Sequence, residues 1–364
     1  MDARTSRYHE VYARSLRDPE GFWSEAAQAL DWYEPARKVF DPDAGIYGRW
    51  FVGASCNSCH NAVDRHVAAG RGAQPALIYD SAAAGTQRTL TYAALRDEVS
   101  AFGAILRDFG VSRGDRVILY MPMVPEAVVA MLACARIGAV HSVVFGGFAA
   151  RELATRIEDC TPKLILSASC GLEPGRTVAY KPLLDGAIAL ASHKPEACVI
   201  LQRPQLEAKL TAGRDHDWAE LRDRAQAEGK RSDCVPVAAT DPLYILYTSG
   251  TTGRPKGVVR DNGGHMVALK WSMQNLYGVH PGEVWWCASD IGWVVGHSYI
   301  VYAPLFHGAT SIMYEGKPVG TPDAGAFWRV ASEHGAVALF TAPTAFRAIR
   351  KEDPQGKHIG RYDL

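Results

Sequence analysis

Between Thr91 and Leu166, short apolar runs alternate with longer stretches in which apolar residues recur every three or four positions. This alternation restricts the fold more than any other feature of the chain. Thr91 has the residue type of a helix N-cap; Leu95, Val99, Phe102, Leu106 and Phe109 then step by four and three along one face, and Gly110 closes the run. Arg116–Tyr120 reads as a strand, Pro125 to about Ile137 as a helix, Val140–Val144 as a strand, Ala150 to Asp159 as a helix and Lys163–Leu166 as a strand. Strands separated by helices point to βαβ units and a largely parallel sheet, because a parallel pair needs a long crossover.

Residues near 203 to 233 are charged and poor in apolar side chains, and they read as a linker and surface excursion. A second unit follows, with strand-like runs at Leu243–Leu246, Glu283–Cys287 and Val337–Phe340. Residues 1 to about 70 are aromatic-rich, with Tyr8, Tyr12, Phe22, Trp23, Trp32 and Tyr33, and suggest helices packed on a larger body. At 364 residues and 48% hydrophobic content, the chain can bury large cores and hold two or more subdomains.

The run Leu243–Leu246 delivers the most specific chemistry of the chain, Tyr247-Thr248-Ser249-Gly250-Thr251-Thr252-Gly253-Arg254-Pro255-Lys256-Gly257. Glycines let backbone N–H groups turn around an anion, the hydroxyls of Thr248, Ser249, Thr251 and Thr252 can donate to phosphate oxygens, and Lys256 adds a mobile positive charge. A polyphosphate suits this set. The loop is not a Walker A motif, which has glycine before its lysine and Ser or Thr after it, where this chain has Pro255 and Gly257. A plain surface loop rich in Ser, Thr and Gly is the alternative for a shorter cluster.

Taken together, the eleven positions resemble the signature phosphate loop of the adenylate-forming enzymes, the superfamily of acyl-CoA synthetases, luciferases and peptide-synthetase adenylation domains. Further stretches are similar to short-chain acyl-CoA synthetases of the acetyl and propionyl type: Asn61–His66 with Gly70-Arg71-Gly72 and Pro75–Tyr79, Ile291–Tyr299, Thr341–Ala345, and Tyr314–Gly325, the last closest to propionyl-CoA synthetases. The resemblance implies an α/β fold of two stacked βαβ-rich subdomains, the N-terminal domain of such enzymes. It divides the chain into a helical N-terminal segment over 1–70, a first α/β subdomain over 71–235 and a second, bearing the phosphate loop, over 236–364. The same resemblance implies a two-step ligase. A carboxylate attacks the α-phosphate of ATP carried with Mg²⁺, and CoA thiol then displaces AMP from the acyl-adenylate.

By that similarity Lys256 and Thr251 are catalytic, and Thr248, Ser249, Gly250, Thr251, Thr252, Gly253 and Lys256 bind the phosphates. Trp293, Val294 and Val295 belong to the acyl pocket. Val295 stands where acetyl-type enzymes commonly have Thr, a change of polarity more than of volume. Glu173-Pro174-Gly175-Arg176 is similar to the family's contact for the nucleotide end of CoA; an arginine suits a phosphate, and a solvated turn is the alternative. Gly146, Gly147 and Arg151 receive no role, since strand–helix packing explains the glycines as well as an anion would. His265 and His297, single histidines in apolar runs, read as packed. No residue is assigned to a protein-held metal.

Thirty-nine basic residues balance thirty-nine acidic ones, so no global field recruits nucleic acid or an anionic membrane, and the expected partners are small molecules. The first twenty residues intersperse Arg4, Arg7, Arg14 and Arg17 with Asp2, Glu10, Asp18 and Glu20 and lack the apolar core of a signal peptide, so a cytoplasmic enzyme is expected. Ile291–Tyr314 carries no charged residue yet contains His297, His307, Pro304 and three glycines, which suits a buried helix and strand better than a membrane span.

The eight cysteines read as reduced, packed thiols. Cys56-Asn57-Ser58-Cys59-His60 matches the attachment pattern of c-type haem, and Cys56, Cys59, His60 and His66 could be read as a zinc set. The surrounding resemblance makes this segment structural, and neither haem nor zinc is expected. The family's Mg²⁺-placing glutamate, hinge acid and C-terminal lysine have no counterpart before Leu364, so an incomplete fragment, inactive alone, is the expectation. A non-catalytic nucleotide-binding module and, more remotely, a c-type haem or redox protein through Cys56, Cys59 and His60 are the other classes left open.

Overall fold

The computed structural model describes residues 6–248 and 255–364. Two sheets, each mostly parallel, are stacked with helices between them and outside them. The first has seven strands: β3 (Arg116–Tyr120), β4 (Val140–Val143), β5 (Leu164–Ala168), β6 (Ala197–Leu201), β7 (Asp215–Asp217), β8 (Pro242–Thr248) and β9 (Lys256–Asp261), in the order β7-β6-β5-β3-β4-β8-β9. All its pairs are parallel except β8 with β9. The second has five: β1 (Pro75–Ser81), β2 (Thr86–Thr91), β10 (Val284–Ala288), β11 (Thr310–Glu315) and β12 (Ala336–Thr341), in the order β12-β10-β11-β1-β2, with only β1 and β2 antiparallel.

The α/β fold expected from the sequence is therefore present, and the period-two alternation of its strands shows why. Val117 and Leu119 of β3 face the middle layer, where the helices Tyr92–Asp108, Pro125–Arg136 and Gly263–Asn275 share one core with residues of both sheets. Ile118 and Tyr120 face the opposite way, against the helices Ala150–Cys160 and Tyr180–Leu190. On the far side of the second sheet, Trp286, Ile312 and Tyr314 pack against Phe327 and Val330 of the helix Ala326–Glu333. Pro125–Arg136 shows how deep the middle layer is, since every residue except Glu126 is buried. Thr91 caps its helix as its type suggested, accepting the Ala94 N–H at 3.1 Å, and Gly110 follows the helix with φ 70°.

Two expectations need correction. Residues 203–233 are more than a linker: Asp215–Asp217 forms the edge strand β7, and Asp217 caps the helix Trp218–Ala227. Three buried apolar residues anchor this polar stretch, Trp218, Leu221 and Ala225, and Trp218 stacks on Phe102 with ring centroids 3.9 Å apart. Sheet membership also crosses the boundary near 235, because β1 and β2 belong with β10–β12, whereas β8 and β9 belong with β3–β7.

In the N-terminal segment, helices Tyr8–Arg17 and Pro19–Ala27 lead to a hairpin of Lys38–Asp41 with Arg49–Val52. Phe22 and Trp23 dock edge-on against Trp271 of the helix Gly263–Asn275. The uncharged Ile291–Tyr314 supplies helical turns from Val294 to His307, buried from Gly296 onward except for the half-buried Tyr299, and then β11. Among the described residues no helix is long and apolar enough to cross a membrane.

Candidate active site

In parallel sheets the loops leaving the C-terminal strand ends converge, and ligands of such folds bind there. Here a cavity of about 450 Å³ lies at those ends, lined from both sheets: Phe145, Gly146 and Gly147 after β4, Glu173 and Pro174 after β5, Asp290 and Trp293 after β10, Lys317 after β11, and Thr341, Ala342, Thr344 and Ala345 at the end of β12. The glycines are fixed by close approach. A Cβ on Gly146 would collide with the Tyr180 hydroxyl, and one on Gly147 with the Phe145 ring. Gly296 has no room for a side chain because its Cα faces the backbone of Asp290, so the helical turn at Val294 can press against the strand end.

Glu173 and Arg176 close a two-residue hairpin, paired with each other across the turn Pro174-Gly175. Pro supplies the fixed φ of the first turn position, and Gly175, at φ 72°, the left-handed second. All four residues line a second cavity of about 450 Å³ that shares Glu173 and Pro174 with the first. Lys317 Nζ stands 3.3 Å from the Glu173 carboxylate, so this rim carries two cations, Lys317 and the exposed Arg176.

The other expected site residues are distributed less evenly. Trp293 lines the first cavity, half exposed, with its ring 5.6 Å from that of Phe145. Val294 is also half exposed, while Val295 packs against the core and its carbonyl accepts a long contact from the Cys287 thiol. The described residues thus gather Trp293 with the CoA-type turn but do not enclose Val294 and Val295 in one pocket with it. Thr248 and Lys256 are exposed and face each other in register at the open ends of β8 and β9. Ser249, Gly250, Thr251, Thr252 and Gly253 lie outside the described residues.

Sequence reasoning missed Asp290 and Lys317. Burial pushes the Asp290 carboxyl up to about 6, against the opposing hydrogen bond from the Gly292 N–H at 2.7 Å. Its position directly before the glycine-bearing apolar stretch was the available signal. His265 and His297 are packed as expected, and burial holds their imidazoles at about 3 and about 4. Cys56, Cys59, His60 and His66 do not converge: Cys56 lies in a short strand paired with Val237–Ala238, His60 meets Asp31 at 3.2 Å, and His66 bonds the Leu305 carbonyl at 2.8 Å.

Comparison with known proteins finds relatives along nearly the whole chain. A family model described as AMP-binding enzyme matches residues 64–364, and one described as acetyl-coenzyme A synthetase N-terminus matches residues 8–62. The mitochondrial acyl-CoA synthetase short-chain family member 3 of Homo sapiens is 54% identical over 357 residues, covering 98% of this chain and 51% of that protein. The propionate–CoA ligase of Salmonella typhimurium is 48% identical over 350 residues, 94% of this chain and 54% of that enzyme. An uncharacterised protein of Pseudomonas aeruginosa is 56% identical over 357 residues, 98% of this chain and 56% of that protein. The chain thus spans about half the length of the curated relatives it matches.

Proposed function

The chain belongs to the AMP-binding enzyme family, and from that premise we propose that it serves the ATP-dependent activation of a short-chain carboxylate, propionate before acetate, and transfer of the acyl group to CoA. The observation that carries this reading is the shared cavity: the turn of Glu173 and Pro174 and the indole of Trp293 line one space at the C-terminal ends of both sheets. A nucleotide-bearing thiol entering over Arg176 and Lys317 would meet cations first and then the cavity lined by Trp293. Arginine in particular offers paired donors to a phosphate.

The first step makes acyl-adenylate from a carboxylate and ATP, which enters with its Mg²⁺ as substrate. Negative charge grows on the departing pyrophosphate. Lys256, opposite Thr248 at the strand ends, would meet that charge together with Ser249, Thr251, Thr252 and the backbone N–H groups of the glycines. A preorganised donor aimed at developing charge is worth roughly 2.7–4 kcal/mol. In the second step the thiol displaces AMP and the thioester forms. A cytoplasmic setting is part of this reading, although the human relative is named mitochondrial; fractionation of the source cells decides it.

The direct test is a chimera in which residues 1–364 replace the matching half of the Salmonella typhimurium enzyme, assayed by ATP–pyrophosphate exchange and AMP release with acetate, propionate and butyrate. Propionate-dependent exchange is expected. ATP binding without exchange for any acid removes the ligase reading, and a clear preference for acetate removes the propionate assignment. Lys256→Ala should lower exchange by about a hundred- to a thousandfold; unchanged exchange ends its assigned role.

A further inference from the structure

The haem-like motif leaves one residue unexplained. Cys59 sits fully buried where the N-terminal segment enters the body, and Cys234, half-buried, lies in the segment that leads to β8. The two sulfurs and a carboxylate oxygen of Asp64 all lie within 4.8 Å of one another. Asp64 Oδ2 accepts from both thiols, at 3.9 Å from Cys59 and 3.5 Å from Cys234. Burial and the hydrogen bond shared with Cys59 hold the Cys234 thiol well above its ordinary range, the hydrogen bond being the larger cause.

A dithiol with a carboxylate suggests a metal, and Arg136 argues against one. Its Nη1 stands 2.7 Å from Asp64 Oδ2 and 3.6 Å from the Cys59 sulfur. It is itself held in place, with Nε donating to the Ser232 carbonyl at 2.6 Å. A cation bound by this trio would lie against a fixed guanidinium, whereas a neutral disulfide would leave the Arg136–Asp64 pair intact. The segment around Cys234 is anchored on both sides: Ser232 exchanges hydrogen bonds with Ser100, and the Val235 carbonyl accepts from Asn57 at 2.8 Å. Neither sulfur can drift far from the other. Closure to a bond length of about 2.05 Å asks for side-chain rotation, with Cys59 held in a helical turn and Cys234 in a segment without helix or strand.

We propose that Cys59 and Cys234 form a peroxide-reactive dithiol, a reversible modification site that joins the N-terminal segment covalently to the first α/β layer. Cys59, whose sulfur lies 3.6 Å from the Arg136 guanidinium, gives up its proton and attacks hydrogen peroxide; the O–O bond breaks, and a sulfenic acid and water result. The second sulfur attacks the sulfenyl sulfur; the S–S bond forms, the S–O bond breaks, and the hydroxyl leaves as water after taking the second thiol proton, with Asp64 placed to relay it. In sum, two thiols are oxidised by two electrons, one peroxide is reduced, and two waters leave. A thiol reductant reverses the bond by exchange. The proposal is independent of the ligase reading.

The test treats the chain with hydrogen peroxide, blocks remaining thiols with N-ethylmaleimide and maps tryptic peptides by mass spectrometry with and without dithiothreitol. The expected product is a single reductant-sensitive cross-link between the Cys59 and Cys234 peptides, together with a raised thermal midpoint in the oxidised protein. Cys234→Ser should lose both the cross-link and the shift, and as the half-buried partner it is the variant better tolerated by the fold; Cys59→Ser is its companion. Full alkylation of both residues after peroxide, or a cross-link of Cys59 to Cys56, overturns the proposal. So does retention of one equivalent of zinc in equilibrium dialysis that is lost in either variant.

Discussion

One polar cluster ties the two sheets together beside the candidate site, and another lies deep in the middle layer, and they meet the cost of burial in opposite ways. In the first, Glu315 at the end of β11 receives both arms of Arg203, at 2.8 and 2.9 Å, and hydroxyls from Tyr79 and Ser81 at 2.6 and 2.7 Å. Arg203 follows β6 in the other sheet, so this pair is a strut between layers. In the second, the rings of His141, Tyr244, His265, His297 and Tyr302 stack, tilt or meet edge-on within 6.4 Å. His141 bonds the Tyr302 hydroxyl at 2.6 Å and His297 the Ile291 carbonyl at 2.5 Å. Yet His141 Nδ1, both nitrogens of His265, His297 Nε2 and Ser142 Oγ have no partner among the described residues. The first cluster keeps its charges and satisfies them; the second avoids charge altogether, since burial presses all three imidazoles below their ordinary range.

The sharpest break of this contrast is Glu315→Ala, which strands the Arg203 guanidinium in the interior. A loss of about 3–5 kcal/mol is expected in denaturant unfolding, whereas Glu315→Met with Arg203→Met, combined with Tyr79→Phe and Ser81→Ala so that no hydroxyl donor is stranded, should recover most of it. If both variants lose equally, the pair is not the strut described here.

Acid separates the clusters next. An unfolded histidine titrates near 6.5, and His265 in the fold only near 3, so between these values the unfolded chain takes up the proton first. Stability is therefore complete above about pH 6.5 and falls as pH drops below it. His265→Phe removes one such proton: the pH slope of its unfolding free energy between 6.5 and 4.5 should be shallower than that of the parent by about 1.4 kcal/mol per unit, other groups cancelling in the difference. Identical slopes would mean that His265 charges within the fold.

The smallest test compares two buried serines. Ser81→Ala, which removes a donor to the Glu315 carboxylate, should cost about 1.5 kcal/mol, and Ser142→Ala should change stability by no more than about 0.5. A larger loss at Ser142 would reveal a water-mediated partner and narrow the contrast.

Much of the fold was legible because its signals are local. The cap at Thr91, the apolar steps through Leu106, the proline at 125 and the strand runs at Val117 and Ile165 each follow from short-range sterics and periodicity, and each appears where expected. The stretch around Trp218 was misread because three buried apolar residues, Trp218, Leu221 and Ala225, outweigh many charged neighbours, and the stack of Trp218 on the distant Phe102 leaves no local trace. The candidate site divides in the same way. Glu173–Arg176 declared its turn through Pro and Gly, while Asp290 and Lys317 became site residues only when separate strand ends met.

By itself, the sequence determined the chemistry available to this protein: a hydroxyl- and glycine-rich loop with one lysine, an arginine-bearing turn and an α/β alternation of strands and helices. Tertiary structure decided which of these share a space. Strand order placed β8 and β9 in the first sheet and β1 and β2 in the second; the two sheets bring Glu173 and Trp293 to one cavity, and the pairing of Ser55–Cys56 with Val237–Ala238 brings Cys59 near Cys234. The physical reason is one of range. Capping, turns and periodicity act over a few residues, whereas pairing order and layer packing are settled by which apolar faces bury against one another across the whole chain.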